Sequence, residues 1–197
     1  RRARAAHRMS GTERPARIEL MDALRGLAVC LMVLHHFLYD LCAFLGAPWW
    51  LFTNPVFDVL HYFFAGLFIF LSGISSDFSR SNLKRGAKAM ALALGITLVT
   101  YFMNMTIVFG VLHLLGVCMM LYPVYKKLPT QALAAMGVVL VVTGYLISGT
   151  VVEAKFLFPF GFVYEGFTSS DFFPILPHLG WYMLGTVLGR TVYAGKK

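Results

Sequence analysis

The chain of 197 residues is 58% hydrophobic and only 13% charged, with a mean hydropathy of +0.71 and a formal net charge of +8. That is far more apolar than a soluble globular domain, so the water-soluble enzyme classes are excluded and the chain reads as an integral membrane protein. The basic surplus accompanies no soluble basic stripe, which argues against a nucleic-acid binder and makes the charge an orientation signal of cytoplasmic loops.

A basic tail, residues 1–17, precedes a transmembrane domain over 18–197. Six stretches then approach the roughly 20 residues that span hydrocarbon as a helix: about 23–45, 55–76, 86–103, 105–125, 131–150 and 172–192. The expected fold is all-α, a polytopic bundle of six transmembrane helices with both termini cytoplasmic. The first span has a basic front like a secretory signal, yet it is too long and is followed by no small-residue cleavage site, so it reads as retained. The third and fourth spans are separated by almost no loop and predict a tight antiparallel hairpin. Two outer connectors are rich in aromatic residues: "GAPWWLFTNP", and "KFLFPFGFVYEGF", where Phe156, Phe158, Phe160, Phe162 and Tyr164 alternate. Both read as an interfacial aromatic belt in preference to a lid. Gly185 and Gly189 in "GTVLG" fit close helix packing. Cys30, Cys42 and Cys118 show no paired spacing and read as small apolar fillers.

Charge placement tests the division into spans. With six of them, 16 of the 17 Lys and Arg residues fall on one side and only Lys155 falls opposite. This is what the positive-inside rule expects for an inner (plasma) membrane protein with cytoplasmic termini.

Ionisable groups inside these spans mark the candidate site, because charge at membrane depth normally faces a protein or water-filled interior. Asp22, Arg25, Val29, Val33, His36 and Asp40 follow steps of three and four and share one face of the first helix. His35 lies about 100° away from His36 and reads as a packing residue. His36 is 13 residues beyond Ala23, about 20 Å up a helix rising about 1.5 Å per residue. His61, His113 and His178 lie about 9 to 12 Å below the outer starts of their own spans. Four histidines from four helices are therefore expected in one layer near the outer surface. Asp40 lies four residues from His36, and Asp58 three from His61, so each carboxylate can face its imidazole along a helix. Such pairs suit proton transfer, in an enzyme or in a proton-coupled transporter, and imidazoles also serve haem. No helix has the i,i+4 histidine pair of a zinc helix, so no metal is expected. On the inner side Arg80, Lys84, Arg85 and Lys88 form a cationic loop that serves topology or holds a phosphorylated ligand.

"MDALRGLAVCLMVLHHF" resembles the first helix of membrane acyltransferases, in which an arginine and a histidine are separated by ten residues; here these are Arg25 and His36. With "FLSGISSDFSR", "FGVLHLLGV" and "SSDFFPILPHLGWYMLGTVLGR", the chain resembles bacterial relatives of heparan-alpha-glucosaminide N-acetyltransferase over about residues 17–192. The resemblance implies transfer of an acetyl group from cytoplasmic acetyl-coenzyme A to an amine or hydroxyl of an extracytoplasmic or lipid-linked glycan. It implies His36 as general base, Asp40 orienting it, and His113 and Asp58 lining the acceptor pocket with His61. Arg25, Arg80, Lys84, Arg85 and Lys88 would hold the donor. The chain departs from the lysosomal enzyme in lacking a histidine in "GAPWWLFTNP". Bacterial relatives usually continue into a further apolar helix, so the bundle is expected to be completed by a missing helix, another chain or a second copy.

Overall fold

Asn54 and Pro55 show how the sequence sets a helix start: the Asn54 side chain accepts from the Val56 N–H at 2.9 Å, and proline occupies the first helical position, where no N–H is needed. In the computed structural model, which describes residues 19–192, this begins the second of six α-helices. They are α1 (Glu19–Leu45), α2 (Pro55–Ser76), α3 (Asn82–Phe102), α4 (Val111–Tyr125), α5 (Thr130–Ile147) and α6 (Ile175–Val192). Short 3-10 turns at Trp49–Leu51 and Lys155–Phe160 interrupt the outer connectors. The fold of the described residues is all-α, with isolated bridges at Phe109 to Phe172 and Val151 to Val163. The basic tail at 1–17, and Lys196 and Lys197, lie outside the described residues.

Glycines set the helix contacts. A Cβ at Gly73 would overlap the Tyr182 carbonyl and one at Gly185 the Phe70 carbonyl, so α2 and α6 approach backbone to backbone. This is the small-residue packing that replaces the hydrophobic drive between helices in lipid. Gly137 and Gly180 do the same for α5 and α6. Helix α6 is thus flanked by α2 and α5, α3 pairs with α4, and α1 packs on α2. The core runs between them through Ile69, Leu114, Cys118, Leu133, Phe173 and Tyr182.

One end of the bundle, called inner after the orientation expected from the basic residues, collects the start of α1, the ends of α2, α4 and α6, and the starts of α3 and α5. Arg25 of α1 donates to the Leu71 carbonyl at 3.2 Å and to the Ser75 hydroxyl of α2. Arg190 of α6 meets the Asp77 carboxylate at 3.4 Å and donates to the Lys126 and Leu128 carbonyls at 2.9 Å. Successive helices therefore alternate in direction. Large apolar side chains such as Phe37, Phe44, Val59, Phe63, Leu92, Leu98 and Val139 point outward around the bundle. Three helices, Leu20–Leu45, Pro55–Ser76 and Thr130–Ile147, are long and apolar enough to cross a membrane, and α4 is apolar but shorter. Polar and basic residues, Lys84, Arg85 and Lys88 in α3 and His178 and Arg190 in α6, lower the hydropathy of the remaining two.

The expected hairpin of the third and fourth spans is more open than its spacing implies. Asn104 adopts a left-handed conformation with φ of 56°, ending α3, and α4 begins only at Val111. Residues 105–109 run extended between them because their backbone groups are satisfied elsewhere. The Ile107 N–H donates to the Thr100 hydroxyl at 3.1 Å and its carbonyl accepts from the Thr97 hydroxyl at 2.6 Å. On the other side the Phe173 N–H donates to the Phe109 carbonyl at 2.8 Å, and the Ser170 N–H to the Thr106 carbonyl at 3.2 Å. The loop before α6 is thereby pinned to the start of α4.

Candidate active site

Three imidazoles meet near the outer end of α1 and α2. His35 stacks on His61 with centroids 4.0 Å apart, and His36 lies edge-on to each, at 5.9 Å from His35 and 6.4 Å from His61. His35, expected as a packing residue, also meets Phe52 at 4.8 Å and lines a cavity beside His36. Phe52 arrives because the "GAPWWLFTNP" connector folds back, its Trp49 against Tyr39 and Phe52. The Nδ1 atoms of His35 and His61 are buried without a hydrogen-bond partner. Phe173 then separates His61, at 5.9 Å, from His178, at 5.2 Å. The His178 Nδ1–H donates to the Pro174 carbonyl at 2.8 Å, a bond within its own helix start.

His113 is placed differently. It is the third residue of α4, and its Nδ1 accepts from the Gly110 N–H at 3.2 Å, so the ring proton sits on Nε2, which faces the Thr97 hydroxyl at 3.2 Å. Both nitrogens are committed to holding the helix start against α3.

Two cavities border these rings. The outer one, about 260 Å³, is lined by His35, His36, Asp40, His61, Thr100 and Asp171, among others. The inner one, about 390 Å³ and mostly apolar, lies between α1 and α3 and includes Val29, Val33, His36, Ile96, His113 and Asp171. Three residues, His36, Ile107 and Asp171, belong to both. His36 is exposed into this space. The predicted polar face of α1 is therefore also its cavity face, through Val29, Val33, His36 and Asp40. Asp58 is exposed on α2 and lines neither cavity.

Asp171 is the site residue that the sequence reading missed. Its carboxylate lies against Gly110 where a Cβ would overlap it, and it accepts from the Val111 N–H at 3.2 Å at the start of α4. Burial pushes this carboxyl above its ordinary range, while the Val111 hydrogen bond and the charge of His36 pull the other way. The only signal in the sequence is an acid amid serines and aromatics, "SSDFFP", and it lies outside every helical period.

At the inner end Arg80, Lys84, Arg85 and Lys88 are all exposed. Arg85 lies near enough to Arg25 for their like charges to repel. Arg25 itself is bonded to α2 and to Asp22 at 3.3 Å. Among the described residues no three His, Cys, Asp or Glu side chains form a metal site.

Residues 17–197 match the family model described as heparan-alpha-glucosaminide N-acetyltransferase, catalytic. The chain belongs to this family. The match extends over all six helices and both cavities, and with the apolar helices it makes the chain a membrane protein of acetyltransferase type, in a family whose acetyl donor is acetyl-coenzyme A. Comparison with curated proteins and with solved structures found no match.

Proposed function

We propose that the chain moves an acetyl or other acyl group from acyl-coenzyme A on the cytoplasmic side to an amine or hydroxyl of an extracytoplasmic or lipid-linked glycan. In this reading all six helices cross an inner (plasma) membrane with both termini cytoplasmic. Eight of the nine Lys and Arg residues within 19–192 lie at the inner end, and Lys155 alone at the outer end, in support of that orientation.

The observation that carries the reading is that two cavities of different character share His36. The apolar inner cavity suits the slender arm of the donor. It begins at Val29, one turn above Arg25, and at Ala93, five residues above Lys88. Arg85 is 11 residues from Ile96, about 16 Å along α3. Arg80, Lys84, Arg85 and Lys88 supply exposed cations for the donor phosphates, with Arg25 fixing α1 beside them. Bound acyl-coenzyme A supplies a thioester, a carbonyl activated toward attack. The outer cavity, with Asp40 and His61, receives the acceptor.

His36 takes the proton from the acceptor amine or hydroxyl as that atom attacks the thioester carbonyl; the C–S bond then breaks, the acyl group stays on the acceptor, and coenzyme A leaves as the thiol with the proton returned by His36. The His35–His61 stack shields one side of that ring from lipid and narrows its orientation. His113 holds the start of α4, and so the wall between the cavities. To test this, the full chain in lipid nanodiscs is given acetyl-coenzyme A carrying a labelled acetyl group and a panel of hexosamine and lipid-linked sugar acceptors. Labelled product is expected; absence of both product and donor binding would reject the reading.

A further inference from the structure

Two carboxylates lie near His36, and their surroundings differ. Asp40 is exposed and lines the outer cavity alone. Asp171 lines both cavities, as His36 does, and is enclosed by the loop that pins α6 to α4. That loop is braced at each step. The Ser169 hydroxyl donates to the Asp171 carbonyl at 2.6 Å and accepts from the Val108 N–H at 3.1 Å, while Phe173 bonds Phe109. A carboxylate so held keeps its position through a reaction cycle, and low local polarity strengthens its action on a neighbouring ring.

We propose that Asp171 is the positioning residue of His36: from the head of α4 it stabilises the imidazolium that forms when His36 accepts a proton. The inference rests on the reading of His36 as the proton acceptor. The start of α4 shares the work: burial disfavours the charged carboxylate, and the Val111 N–H, which holds it in place, together with the helix dipole and the charge of His36 works against that cost. His36 and Asp171 border the same two cavities, and the charge of His36 acts on the Asp171 carboxyl across that space. The other titratable groups around His36 are His35, Tyr39 and Asp40 on α1, His61 on α2 and His113 on α4, while α3 contributes Ile96 and Thr100. Asp171 is therefore the enclosed carboxylate among the residues lining this space.

The test has a readout independent of turnover. Diethyl pyrocarbonate modifies neutral imidazole, and mass spectrometry of the full chain in nanodiscs gives the pH of half-maximal labelling at His36. Asp171→Asn keeps an oxygen for the Val111 N–H, and Asp171→Ser is a second neutral variant that removes the carboxylate altogether. In either variant the half-point is expected to fall by about one pH unit or more, and to stay within about 0.2 unit in Asp40→Asn. An unmoved half-point in both Asp171 variants, or a shift in Asp40→Asn instead, would overturn the proposal.

Turnover supplies the second arm. Asp171→Asn is expected to lower kcat about 10-fold to 100-fold with donor KM within about twofold, and to cost nothing further in a His36→Ala background. Full additivity there would overturn it. A chain that transfers no acyl group at all would reject the proposed reaction, whereas the labelling result would still decide the Asp171–His36 pairing.

Discussion

The two ends of the bundle spend their polar side chains differently. At the inner end most buried groups lock one helix to another: Asp77 to Tyr122 and Arg190, Ser76 to the Tyr182 hydroxyl at 2.6 Å, and Thr186 to the Gly73 carbonyl at 3.2 Å, while Asn82 donates to the Ser76 carbonyl at 2.8 Å and leaves its own Oδ1 without a hydrogen-bond partner. Near the outer end, histidine nitrogens of His35 and His61 remain buried without partners, and His36 opens on two cavities. An unpaired polar atom in an apolar interior is costly, and at this end two of them lie beside open space. The contrast separates the polar groups that hold the bundle from those available to chemistry.

Substitutions sharpen this division, beginning with the largest effect. Arg190→Leu leaves the Asp77 carboxylate without its cation; the side chains are 14% and 5% exposed, and loss of one member of such a pair costs about 3–5 kcal/mol. Denaturation in detergent is expected to show that loss, with transfer by the surviving folded fraction unchanged. Gly185→Ala drives a methyl into the Phe70 carbonyl and is expected to cost about 1–3 kcal/mol in the same measurement. His113→Ala removes the acceptor for the Gly110 N–H; about 1 kcal/mol of stability is expected to go, with kcat lowered less than about tenfold. A larger fall in kcat would move His113 from the framework to the chemistry. The smallest effect is expected from Lys84→Ala with Arg85→Ala, which raises donor KM several-fold, about 1 kcal/mol or less for exposed charges. That difference shrinks as salt rises.

Much of this architecture is legible in the one-dimensional pattern. Span lengths and the one-sided placement of Lys and Arg yield six helices of alternating direction, and steps of three and four yield the cavity face of α1. Long-range backbone pairing left no such trace. The start of α4 moved from residue 105 to Val111 because threonines of α3 and the 169–173 loop satisfy residues 105–109, a bargain among segments far apart in sequence. The same pairing brings Asp171 to the two cavities that His36 lines, and helical periods carry no trace of it. Depth counting put His36, His61, His113 and His178 in one layer. The structure groups His36 with His61, sets His178 behind Phe173, and commits His113 to a cap. The alternating aromatics of 156–164 are bent by the 3-10 turn and the left-handed Gly161, at φ of 108°, so that Phe158 packs toward Phe109 while Phe156 points outward.

The central claim concerns His36, the histidine open to both cavities. The decisive measurement is the turnover of labelled acetyl transfer by His36→Ala in nanodiscs, beside its unfolding midpoint. The expected result is a fall of about a hundredfold or more in kcat with the midpoint scarcely moved; near-normal turnover in a folded variant would contradict the assignment.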